Sequence, residues 1–267
     1  MEHAFKYHGL GNDFVLLDRR QSRRDIDPDT ARRLCDRRLG LGADGVLVLL
    51  PDFGTQTRMV VHNADGSIAE MCGNGIRCAA KYLAERAPER SDLLRLATGE
   101  GSYECRLSWT PQGTVEQVEV EMGVAQVRFL EQPLEGFPGL VASAVTVGNP
   151  HLVLFDRPLE DADVFGARLE QHPAFPERTN VEWAAVDGQA FRVRVWERGV
   201  GLTLACGSGA CAVAAVAVRT GRAAAGQWLK VHLPGGALEV RVSDGTPRLQ
   251  MRGPATFVFE ATVPDLP

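Results

Sequence analysis

Met71-Cys72-Gly73-Asn74-Gly75 and Ala205-Cys206-Gly207-Ser208-Gly209 are two copies of one pattern, a cysteine followed by Gly-x-Gly. Each copy opens a helix. After Gly73-Asn74 the chain continues through Ile76, Ala79, Ala80 and Leu83, apolar at helical spacing, until Pro88 ends the run. After Gly207-Ser208 it reads ACAVAAVAV up to Arg219 and Gly221. A helix that is apolar on every side is buried on every side, and its small residues let neighbours approach closely. Strands are therefore expected to curl around it.

The correspondence extends outward. Gly11-Asn12-Asp13-Phe14-Val15-Leu16-Leu17-Asp18 matches Gly148-Asn149-Pro150-His151-Leu152-Val153-Leu154-Phe155-Asp156 at almost the same offset as the two cysteines. Val61 precedes Cys72 by the same interval as Val195 precedes Cys206. Three matches in one order imply two similar domains, 1–115 and 116–267, related by a pseudo-twofold axis. A last strand, Thr256 to Ala261, is free to cross back to the first domain.

Period-2 alternation marks strands at Val118–Met122, Phe191–Val195 and Leu238–Val242, each with one polar face. Asp27-Pro28 is an N-cap followed by Pro at the first helical position, and predicts a helix to about Leu39, with Gly40 as its stop. The fold class is α/β of the α+β kind. Each half is a mostly antiparallel or mixed sheet curled around a central buried helix.

The 267 residues are 45% hydrophobic and 24% charged, ordinary globular usage with room for two small domains. A net charge of −5 argues against a nucleic-acid partner. The arginines between Arg19 and Arg38 are interleaved with Asp18, Asp25, Asp27, Asp29 and Asp36 and read as a solvated, ion-paired face. No apolar run is long enough for a membrane span, and the N-terminus lacks the regions of a signal peptide. A cytoplasmic location is expected, with the six cysteines as thiols.

Gly40-Leu41-Gly42-Ala43-Asp44-Gly45 satisfies G-x-G-x-x-G, but a helix precedes it and a strand, Val46 to Leu50, follows. That is the reverse of a dinucleotide site, and a helix-terminating turn explains it. Ser208 lacks the flanking glycines of a hydrolase elbow. The cysteines lack C-x-x-C spacing, so no metal site is expected. Cys35, Cys78, Cys105 and Cys211 read as small buried hydrophobes.

Cys72 and Cys206 differ from those four by lying at helix N-termini, where unsatisfied N–H groups and the helix dipole favour a thiolate. Two of them at equivalent positions of a duplicated fold suit racemisation. A proton leaves one face of a carbon and another arrives on the opposite face, so the reaction needs a matched base and acid. The N–H groups of Gly73, Asn74, Gly207 and Ser208 can receive a substrate carboxylate. No lysine stands in a recognisable pyridoxal phosphate setting, and no cofactor is expected.

The segments HGLGNDFVLLD, GADG, NADGSIAEMCGNGIRCAAKYL, TGEG, VGNPHLVLF, TNVEWA and VWERGVGLTLACGSGACA together resemble diaminopimelate epimerase. The resemblance runs from residue 8 to about 221. It implies a cofactor-independent enzyme of lysine and peptidoglycan-precursor synthesis that interconverts LL- and meso-2,6-diaminopimelate in two domains that close over the substrate. It also suggests a homodimer. It places Cys72 and Cys206 on the acid–base cysteines, and Gly73, Asn74, Gly207 and Ser208 on the carboxylate-binding helix ends. Asn12, Asn63, Asn149, Asn180, Glu197 and Arg198 fall on substrate-binding positions, and His151 and Glu197 on positions that tune the cysteines. Arg198 has the planar fork that holds a carboxylate bidentately.

Alternatives stay open for single residues. Asn63 before Ala-Asp-Gly and Asn149 before Pro150 are each also turn formers. Where some relatives carry Gln, this chain has Gly45. A proline racemase-like isomerase of the same fold is the nearest rival activity. A cysteine hydrolase or transferase using Cys72 with His62 or His151, and a redox or binding module, are more distant ones.

Overall fold

The computed structural model describes residues 1–54, 56–69, 72–99 and 101–264. Met71 of the first cysteine motif and Glu100 of the TGEG segment lie outside the described residues. The chain divides into a first unit, Met1–Val120 with Gly253–Pro267, and a second, Glu121–Arg252.

In chain order the first unit contains β1 (Glu2–Gly9), β2 (Asn12–Asp18), α1 (Pro28–Cys35), β3 (Gly45–Asp52), β4 (Gln56–Asn63), β5 (Ile68–Ala69), α2 (Gly73–Glu85), β6 (Leu93–Ala97), β7 (Ser102–Trp109) and β8 (Val115–Val124). The division falls within β8, a little beyond the 115/116 boundary read from the sequence. The second unit continues with β9 (Gln126–Pro133), β10 (Val141–Val147), β11 (Asn149–Phe155), α3 (Asp161–Glu170), β12 (Asn180–Asp187), β13 (Ala190–Glu197), β14 (Gly201–Thr203), α4 (Gly207–Arg219), β15 (Trp228–Leu233), β16 (Gly236–Val242) and β17 (Arg248–Gly253). The last strand, β18 (Thr256–Val263), returns to the first unit and pairs antiparallel with β1.

The two units repeat one plan. β1 and β2 form an antiparallel hairpin over Leu10-Gly11, both at positive φ, and β2 then runs parallel to β3 after the α1 crossover. β3 pairs antiparallel with β4, and β4 leads through β5 into α2. In the second unit β10 and β11 form the hairpin, turning at Gly148 with φ 75°, and β11 runs parallel to β12 after α3. β12 pairs antiparallel with β13, which leads through β14 into α4. The sheets are mixed, as the polar alternation predicts, and β4–β6 and β13–β15 supply further parallel pairs.

The strand runs Phe14–Leu17 and Val46–Leu50 are apolar on both faces because both faces are covered. Val15, Leu17, Val46 and Val48 pack with Ala31, Leu34 and Cys35 of α1. Leu47, on the alternate face, reaches Gly75 of α2. Leu47 and Leu49 are fully buried, each worth about 1.5–3 kcal/mol of hydrophobic stabilisation. In the second unit Leu152, Leu154, Val181 and Trp183 pack with Ala162 and Leu169 of α3. Ala210 through Ala217 of α4 are buried without a break against β10, β11, β12, β15 and β16.

One helix is shorter than its periodicity suggests. α1 ends at Cys35, not near Leu39, because the Asp36 carboxylate accepts the N–H groups of Arg38 and Leu39 and turns the backbone out of the helix. Its start is as read: Asp27 accepts from Thr30 N–H at 2.8 Å with Pro28 behind it. Cys35, Cys78, Cys105 and Cys211 are buried; burial pushes Cys78 and Cys105 up to about 12 and Cys35 to about 11. Among the described residues no helix is long and apolar enough to cross a membrane.

Candidate active site

Each helix that follows a cysteine is capped by that cysteine. Cys72 takes extended backbone angles and its Sγ accepts the N–H of Gly75 at 3.3 Å. Cys206 does the same, with Gly209 N–H at 3.4 Å. A thiol is an uncommon N-cap; here the sulfur occupies the place of the Ser or Asp oxygen that ordinarily satisfies the N3 amide. Both helices carry no acidic residue in the first turn, which leaves their N-terminal dipoles uncompensated from within the helix.

In the first unit the cap is joined to a directional chain of side chains. Arg77, fully buried, donates from Nη2 to Asn74 Oδ1 at 2.9 Å. Asn74 Nδ2 donates to Asn12 Oδ1 at 3.0 Å, and Asn12 Nδ2 donates to Asp44 Oδ2 at 2.9 Å. A guanidinium only donates and a carboxylate only accepts, so the two ends dictate which way both amides point. Arg77 reaches this position over Gly9, where a Cβ would lie 2.9 Å from its Nη2. Arg37 anchors the far end on both Asp44 and Asp13.

Asn63 does not join this chain. It is exposed and closes the turn into β5, donating from Nδ2 to Ser67 Oγ at 3.0 Å and accepting Gly66 N–H at its carbonyl. Its backbone is nevertheless in register with Gly45, which itself sits opposite Phe14 at the same sheet end as Asn12. A Cβ on Gly45 would stand 2.7 Å from the His62 carbonyl oxygen. Glycine fits that close approach, and a side chain there requires the strand pair to part. His62 is buried and held at Nε2 by Asp25 at 2.9 Å.

In the second unit Cys206 is 5% exposed and sits among carboxylates. Burial pushes its thiol well above the ordinary range, and the charges of Glu197 and Glu182 add to the effect. Bonds from Ser208 and Gly209 offset it only in part. Glu197, whose Oε1 accepts from Thr203 Oγ at 2.6 Å, is near enough to the Cys206 thiol to interact with it. Burial raises Glu197 too, against the pull of that Thr203 bond.

His151 is fully buried, with Nδ1 2.7 Å from Glu182 Oε1 and Nε2 3.0 Å from Asn149 Oδ1. Asn180 lies at the start of β12, beside His151 in the parallel register, and its Oδ1 accepts the N–H of Arg198 at 2.8 Å. The exposed Arg198 side chain donates to the Glu177 carbonyl. Ser208 Oγ lies 3.5 Å from Cys206 Sγ.

Register makes the two clusters counterparts. Phe14 opposes Gly45 as His151 opposes Asn180, so Asn12 corresponds to Asn149 and Gly45 to Asn180. The sequence reading missed Asp44, Arg77, Glu182 and Thr203, although all four lie in or beside the quoted motifs. The signal for Arg77 was available: Asn74 and Arg77 are three apart on one helix and therefore on one face. Among the described residues no group of three or more His, Cys, Asp or Glu is arranged to hold a metal.

Each cluster thus offers a thiol at a helix N-terminus, backbone N–H groups aimed the same way, and amides held in one orientation. Those are the means to move a proton and to hold a carboxylate.

The family model described as diaminopimelate epimerase matches residues 4–128 and 143–258. Diaminopimelate epimerase 1 of Nostoc sp. PCC 7120 is 43% identical, over 95% of this chain and 96% of that protein. The diaminopimelate epimerase of Desulforudis audaxviator is 45% identical over 96% of each. Among solved structures, a Bacillus anthracis phenazine biosynthesis protein of the PhzF family superposes with a TM-score of 0.79 at 15% identity, covering 99% of both chains. A probable proline racemase from Agrobacterium radiobacter K84 gives 0.76 at 16% identity, over 99% of this chain and 93% of that one. At such identities the likeness is one of fold. The sequence matches go further: the chain belongs to the diaminopimelate epimerase family and is an isomerase.

Proposed function

We propose that the chain interconverts LL- and meso-2,6-diaminopimelate without a cofactor, with Cys72 and Cys206 as the two acid–base groups on opposite faces of one α-carbon. The observation that carries this reading is the duplicated cap: two cysteines, each receiving the third amide of a buried helix, at equivalent points of one repeated plan.

The α-proton of an amino acid is a very poor acid, and each pKa unit of mismatch with the base costs about 1.4 kcal/mol. Buried N–H dipoles at both helix starts are preorganised donors for the charge that develops when the proton leaves. The environment of Cys206 favours its thiol form, which suits it to deliver a proton while Cys72 removes one. The roles exchange when the reaction runs in reverse. Asn12, Asn74, Asn149 and Asn180 recognise the ammonium and carboxylate groups, and Arg198 the distal carboxylate. Asn63 and Glu197 complete that set, with Glu197 and His151 also tuning the cysteines. In this reading the enzyme serves lysine and peptidoglycan-precursor synthesis.

The test is a chiral separation of products from LL-diaminopimelate, proline and a panel of other amino acids. Formation of the meso isomer, lost in both Cys72→Ala and Cys206→Ala, is expected. Inversion of proline but not of diaminopimelate, or full activity in either variant, would overturn the proposal.

A further inference from the structure

Glu182 is a buried carboxylate that no part of the scheme above uses. It is 0% exposed on β12, its Oε1 is 2.7 Å from His151 Nδ1, and its Oε2 is a buried oxygen without a hydrogen-bond partner. A buried charge left half-satisfied is costly, and such a group persists in a fold where its field or its placement is used. Its position is tightly specified. A Cβ on Gly209 would lie 2.8 Å from Glu182 Oε1 and 3.3 Å from Cys206 Sγ, so the carboxylate occupies space that only glycine leaves open. By the same two distances Oε1 and Sγ stand no more than about 6 Å apart, inside the range over which one charge acts strongly on another.

We propose that Glu182 is a positioning residue for the second cysteine: it accepts the Nδ1–H of His151 and, as a carboxylate fixed beside the start of α4, holds Cys206 in the thiol form. This rests on the assignment of Cys206 as an acid–base group. The groups that face Cys206 are Glu182 from β12, Glu197 from the end of β13, Ser208 and the Gly209 N–H from α4, with His151 from β11 behind Glu182. Two carboxylates oppose a thiolate there, and the α4 dipole favours it. Glu197 is a second carboxylate acting on the thiol, and Glu182 acts on it across the space that Gly209 leaves open. Burial pushes the Cys206 thiol up, and the charges of Glu197 and Glu182 push it further, in keeping with this placement. The consequence is an asymmetry between the two cysteines, in which the resting enzyme presents Cys206 as the acid.

The test follows the rate of alkylation of Cys206 by iodoacetamide against pH in the full chain, with each cysteine quantified by peptide mass spectrometry. Glu182→Gln, similar in size and still able to accept the His151 N–H, is expected to raise the rate near neutral pH about tenfold and to move the midpoint down by about one unit. Glu182→Asp, which keeps the charge, is expected to stay near the parent profile. A Gln variant that titrates like the parent overturns the proposal, as do Gln and Asp variants that shift alike, which would assign Glu182 to packing alone. Alkylation does not depend on turnover. Absence of diaminopimelate epimerisation would therefore sink the functional reading while a tenfold shift in Glu182→Gln still upheld the role of Glu182.

Discussion

Gly209→Ala is the smallest change that reaches the centre of the second cluster, and its cost can be worked from the geometry. The added methyl would sit 2.8 Å from Glu182 Oε1 and 3.3 Å from Cys206 Cβ and Sγ. Gly209 lies within α4 at ordinary helical angles, so the backbone tolerates alanine and helix propensity gains about 1 kcal/mol. Against that stand strain of about 1–3 kcal/mol from overpacking and the displacement of a charge-assisted bond to His151 worth about 1.5–3 kcal/mol. The net is a destabilisation of about 1.5–5 kcal/mol. Gly75, the equivalent position in α2, is the control. Its Cβ would meet Leu47 Cδ2 at 2.9 Å, the end of a side chain that can rotate, not a pinned carboxylate. Gly75→Ala is therefore expected to cost less.

Equilibrium urea unfolding of Gly209→Ala, Glu182→Ala and the double variant gives a cycle that isolates the clash. The double variant is expected to be more stable than the sum of the single effects by at least about 1 kcal/mol, because removing the carboxylate removes the collision. Strict additivity, or a Gly209→Ala protein as stable as its parent, would show that the close packing of Glu182 against α4 does not hold.

Arg77→Met removes a buried donor and leaves Asn74 Oδ1 and the Pro254 carbonyl without the bonds they now accept, at about 1–3 kcal/mol each. A rise in KM for diaminopimelate, with lowered urea stability, is the expected pair of changes; an unaltered KM would remove the Arg77–Asn74–Asn12 chain from substrate recognition. Burial works to raise Asp13, but bonds from Arg37 and Lys6 outweigh it and hold the carboxyl at about 2, below its ordinary 3.8. Its contribution to stability is present above the ordinary value and lost as pH falls through the folded one. Stability should decline between about pH 4 and pH 2, and Asp13→Asn should lack that part of the decline in an acid titration followed by circular dichroism. An identical acid profile in the variant would contradict the assignment.

The sequence made the two helices and their capping cysteines legible because their signals are local. Gly-x-Gly after a cysteine and an apolar run at helical spacing depend on nothing far along the chain. The alternating strands at Val118–Met122, Phe191–Val195 and Leu238–Val242 were readable for the same reason. α1 was overextended because a side-chain capture by Asp36, not a glycine, decides its end. The polar networks were not legible. Asp44 meets Asn12 across 32 residues and Glu182 meets His151 across 31, through parallel strand pairings that no local pattern announces. Asn63 shows a different limit, since both a turn and a substrate contact suit the same local sequence, and its Nδ2 donates to Ser67 Oγ in the turn.

The central claim is that two different thiols handle the two faces of one carbon. Its most direct measurement is the early-time fate of solvent deuterium with LL-diaminopimelate in D2O, read by mass spectrometry of product and of recovered substrate. Two bases predict deuterium at the inverted α-carbon of the meso product while recovered LL substrate stays protonated. Equal labelling of substrate and product from the outset, or inversion without any label, would contradict the account.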